Sequence, residues 1–74
     1  GWNSSDDKID ISSYLSVLGL SNATSAINNN YLVISQSSLD VNIYFDESGS
    51  GSTNNLICFV ENTDISEING SVFI

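Results

Sequence analysis

Seventy-four residues allow one domain at most, and a hydrophobic share of 41% suits a folded core rather than simple disorder. Nine acids stand against one lysine and no histidine, a formal charge of −8, so nucleic acid, anionic membrane surfaces and polyanions are disfavoured partners while cations, calcium above all, are favoured. A single cysteine excludes an internal disulfide and argues against zinc, and no apolar run approaches a membrane helix.

The chain begins Gly1-Trp2 ahead of an acidic run, and looks cut from something longer. There is no basic-then-apolar opening of the signal-peptide kind, so if the protein leaves the cell, another signal must carry it. "IDI" (9–11) reads as a short strand. Ile11, Tyr14, Leu15 and Leu18 then recur at helical spacing, with Ser12 or Ser13 placed to cap the start and Gly19 to close the end. The polar stretch 21–30 reads as a loop. Residues 31–35 form a strand, "QSS" a tight turn and 39–45 a second strand. In that second strand Leu39, Val41, Ile43 and Phe45 share a dry face, and Asp40, Asn42 and Tyr44 share a wet one.

"DESGSGSTNN" (46–55) reads as a long hairpin loop. The next segment, 56–61, is apolar at five successive positions, so its strand is covered on both faces or meets a partner with the second. Asp64 and Glu67 make a capping-box pattern for one helical turn, with Gly70 as its stop, and 71–74 end as a short apolar strand. The expected fold is mainly β: a small antiparallel sandwich or β-roll cap with one short N-terminal helix, in a single domain over 1–74.

Catalysis finds little support. Nucleophilic chemistry lacks a histidine base, and Cys58 lies within an apolar strand, where a thiol is an inert small hydrophobe. The acids read as solvated surface groups rather than a placed pair, so the chain is read as no enzyme. Asp6, Asp7 and Asp10 are the best candidate calcium ligands, with pairing of one of them to Lys8 as the plainer reading. The loop 46–55 has two acids followed only by hydroxyls and amides, a poor calcium loop. Trp2, Tyr14, Tyr31 and Tyr44 would stack on sugars if exposed together, with core packing the commoner fate of such residues. Asp40, Asn42 and Tyr44 are therefore the candidate ligand face.

"DKIDIS" (7–12), the helix "SSYLSVLG", the later apolar strand and the ending "EINGSVFI" resemble the C-terminal ends of bacterial calcium-binding repeat (RTX) proteins exported by type I secretion, as in serralysin-type proteases and mannuronan epimerase modules. The resemblance follows the order of elements over nearly the whole chain, and only the opening motif and the ending are specific. It implies that 1–74 is the C-terminal fragment of a larger secreted protein, a cap that closes an upstream calcium-binding β-roll. It also implies an uncleaved tail read by an ABC-transporter complex, with secretion to the outside of a bacterial cell. Asp7, Ile9, Asp10, Ile11 and Ser12 match the opening motif, and Ser71, Val72, Phe73 and Ile74 the secretion tail. The glycine-aspartate repeats that hold most of the family's calcium are absent from 1–74, so calcium is expected mainly through repeats upstream. The alternative is a carbohydrate- or protein-binding module of a secreted enzyme or adhesin.

Overall fold

The computed structural model describes residues 7–74. Its sheet begins with the alternating segments on either side of Ser38. Strand β1 (Leu32–Ser37) and strand β2 (Asp40–Phe45) pair antiparallel, from Leu32 opposite Phe45 to Ser37 opposite Asp40. A two-residue link joins them because Ser38 adopts a left-handed φ of 57°. That link takes Leu39 out of the strand. It is 70% exposed and does not share the dry face with Val41 and Ile43, as alternation alone suggests. Strand β3 (Leu56–Val60) pairs antiparallel with the other side of β2, giving the order β1-β2-β3. Val60, Phe59, Cys58 and Leu56 stand opposite Val41, Asn42, Ile43 and Tyr44, and the register skips Ile57 as a bulge.

Helix α1 (Ser12–Leu18) ends at Gly19, whose φ of 70° lets its N–H reach back to the Leu15 and Ser16 carbonyls. No serine hydroxyl caps its start. Asp10 does the local work, its Oδ1 accepting from the Ser12 N–H at 2.9 Å and hydroxyl at 2.7 Å. The stretch read as a loop contains a second helix, α2 (Ala23–Asn28), capped by Asn22 through the Ser25 N–H. Ala23 and Ala26 are its buried face. Two 3-10 turns follow β3. Ile65–Glu67 has the expected capping box between Asp64 and Glu67. Gly70–Val72 starts at the glycine read as a stop, with Asn69 as cap. Gly70 lies so close to Thr24 of α2 that a Cβ there has no room.

The expected strands at 9–11 and 71–74 reduce to one parallel bridge, Ile9 with Phe73. The core joins Val41 and Ile43 of the sheet to Ile11, Ala26, Ile68, Val72 and Phe73. The architecture is a small mixed α/β domain: a three-stranded antiparallel sheet, two short helices and two 3-10 turns. A second sheet to complete a sandwich is not present among the described residues.

Candidate functional site

The two motifs that carry the family resemblance meet in space. The Ile9 N–H donates to the Val72 carbonyl at 2.8 Å, the Ile74 N–H to the Ile9 carbonyl at 2.8 Å, and the Ile11 N–H to the Ile74 carbonyl at 2.7 Å. Lys8 Nζ donates to the Ser71 carbonyl at 3.2 Å. Beneath this ladder Ile11, Val72 and Phe73 are buried, while Ser71 and Ile74 remain exposed. The tail residues thus divide in two: Val72 and Phe73 are core, and Ser71 and Ile74 present their side chains to solvent.

The acidic residues divide as well. Asp6 lies outside the described residues, as does Trp2. Asp10 is held below the ordinary carboxylate range by the Ser12 amide and hydroxyl, the same bonds that set the start of α1. Among the described residues no three His, Cys, Asp or Glu side chains gather as a metal site. The loop 46–55 is organised by Asp46. Its Oδ1 accepts from the Ser48 N–H and hydroxyl, and its Oδ2 from the Ser50 N–H and hydroxyl and the Ser52 N–H, at 2.6–3.0 Å. The hydroxyls of Ser50 and Ser48, then the Ser52 amide, hold this carboxyl far below its usual range. Five donors on one carboxylate make it the internal anchor of the loop. Asp64 with Ser66 and Asn69 with Ser71 repeat the device at the two 3-10 turns.

The aromatics are dispersed. Tyr14 packs against Phe45 with ring centroids 4.7 Å apart. Tyr31 lies against Gly49, where a Cβ would come within 2.9 Å of its ring. Tyr44 sits on the outer sheet face, its hydroxyl accepting from Asn42 Nδ2 at 3.3 Å. Asp40 is turned to the end of the sheet, where Oδ1 accepts from the Asn62 N–H at 3.0 Å. Of the three residues expected on a ligand face, Asn42 and Tyr44 therefore stand together and Asp40 secures a turn.

Two residues that sequence reasoning did not place there join them. Phe59 stands opposite Asn42 and Leu56 opposite Tyr44, and they are 51% and 52% exposed. The signal was the apolar run 56–60 itself, read as covered on both faces or facing a partner; the bulge at Ile57 decides which side chains point outward. Cys58 takes the inner side opposite Ile43, and burial pushes its thiol up, consistent with a packing role.

No protein-family model matches the chain, and no curated protein or solved structure matches it. Among the described residues no helix is long and apolar enough to cross a membrane.

Proposed function

We propose that residues 1–74 form a non-catalytic module of a secreted bacterial protein, serving as its type I secretion signal and as the folding cap of an upstream calcium-binding roll. The observation that supports this reading best is the ladder joining Ile9 and Ile11 to Val72 and Ile74. The opening motif and the tail, far apart in sequence, depend on each other for folding. Such a unit closes only when its last residues have left the transporter, so a tail presented to the machinery while unfolded becomes core afterwards. An acidic chain with a charge of −8 resists collapse where calcium is scarce and is screened where calcium is plentiful. Asp6, Asp7 and Asp10 are the residues proposed to meet calcium, in addition to upstream repeats.

The test is export of a passenger fused ahead of residues 1–74 through a type I transporter. Removing residues 71–74 should reduce export, and Ile74→Asp, which alters the tail without emptying the core, should reduce it with the fold intact. Equal export with and without the transporter would remove the assignment.

A second reading is favoured by the exposed Phe59 and Leu56 beside Asn42 and Tyr44. This outer face suits a neutral carbohydrate or a protein surface, through ring stacking and amide hydrogen bonds. Loss of sugar or protein binding in Tyr44→Ala with an unchanged melting temperature is its test.

A further inference from the structure

Among the described residues no strand pairs with the outer edge of β3. Ser37 and Asp40 flank a two-residue link and are therefore a mutually bonded pair, so alternation turns the backbone groups of Val41, Ile43 and Phe45 toward β3. The Phe45 N–H donating to the Asn55 carbonyl at 3.0 Å agrees with this phase. Cys58 and Val60 thus complete the ladder with Ile43 and Val41, while the N–H and C=O of Phe59 point away from the sheet. The Cys58 sulfur, a weak acceptor, lies near that N–H.

An open groove of ≈ 550 Å³ lies along this edge, with Phe59, Val60 and Glu61 on one wall and Asp7, Lys8 and Ile9 on the other. The second wall is also extended. Ile9 directs both backbone groups to the tail, so those of Lys8 and Asp10 face the opposite way. Strands exposed at an edge are ordinarily guarded by lysine, proline or a covering element, and "LICFV" has no charge or proline.

We propose that this groove receives an extended segment of a partner protein, added to β3 as a fourth strand, with lysine or arginine alternating with apolar residues. Strand addition supplies the main-chain bonds, and pockets at alternate side chains supply selectivity. Charge complementarity chooses the occupant. Glu61 lines the groove together with Asp7 and Lys8, and the chain as a whole carries −8. A second copy brings the same negative charge and is opposed by it. The assignment is independent of the export reading.

The test is fluorescence anisotropy with a short labelled peptide alternating lysine and valine, and its glutamate–valine counterpart. The lysine peptide should bind, more weakly as salt rises, and the glutamate peptide should not. Phe59→Pro removes the outward N–H and should weaken binding by about tenfold or more, and by clearly more than Phe59→Thr, which gives up the ring but keeps the N–H. Should Phe59→Pro fail to fold, amide hydrogen exchange on the parent chain replaces it: protection of the Phe59 N–H on adding the lysine peptide supports the site. Equal binding of both peptides, binding of neither, undiminished binding by folded Phe59→Pro, an unprotected Phe59 amide, or a peptide-free dimer joined through β3 would each overturn it.

Discussion

Replacing Phe73 by alanine tests whether the tail belongs to the core. Phe73 is 7% exposed and packs with Ile11, Val72 and Ile68 in the cluster under the sheet. Truncating a buried phenylalanine to alanine costs about 3–5 kcal/mol, because lost transfer energy and an unfilled cavity add. A chain of this length holds only about 4–11 kcal/mol in total, at roughly 0.05–0.15 kcal/mol per residue. Phe73→Ala should therefore remove a large part of the stability, and at the low end of that range should unfold the protein. Ile74 is the internal control: 61% exposed, it contributes its backbone N–H and C=O to the ladder, which Ile74→Ser keeps, so that change should stay within about 0.5 kcal/mol. Urea unfolding followed by circular dichroism measures both. Equal losses for the two variants, or a loss below about 1 kcal/mol for Phe73→Ala, would show that the tail does not pack as described.

The depressed carboxyl of Asp46 gives a signed pH dependence: its bonds to Ser48, Ser50 and Ser52 are fully present above the unfolded aspartate value of about 3.9 and are lost as the pH falls through its lower folded value. Melting temperatures taken from neutral pH to pH ~2 should fall more steeply for the parent chain than for Asp46→Asn, and parallel curves would refute the anchor role. Gly49→Ala should destabilise more than Gly19→Ala: both have φ near +70°, yet only at Gly49 does a Cβ meet a ring, that of Tyr31 at 2.9 Å, a difference read by thermal melts. Calcium at millimolar levels should raise the melting temperature above sodium chloride of matched ionic strength, and Asp7→Asn should reduce that increment; identical melts in calcium and chelator would remove the acidic cluster as a ligand set.

Elements whose burial follows a simple period were legible in the sequence. The alternation across 40–45 gave β2 its faces, and Gly19 marked the end of α1. The Asp64–Glu67 capping box was readable from two side chains and a spacing. Helix α2 escaped because its stripe is made of Ala23 and Ala26, small residues that become core only when Thr24 meets Gly70 and the C-terminal turn closes over them. The segments at 9–11 and 71–74 looked like strands for good local reasons, but their pairing is long-range and parallel, which no local pattern encodes. The candidate ligand face was half legible. Asn42 and Tyr44 follow from alternation, whereas Asp40 is diverted by the Asn62 amide and Phe59 is turned outward by a bulge.

Transporter-dependent export is the most direct test of the central claim. A passenger fused ahead of residues 1–74, expressed with and without a type I transporter complex, should accumulate in the medium only when the complex is present, and Ile74→Asp should lower that yield while its melting temperature stays near the parent's. Retention of the parent fusion in cells that carry the complex, or export unaffected by Ile74→Asp, would contradict the account.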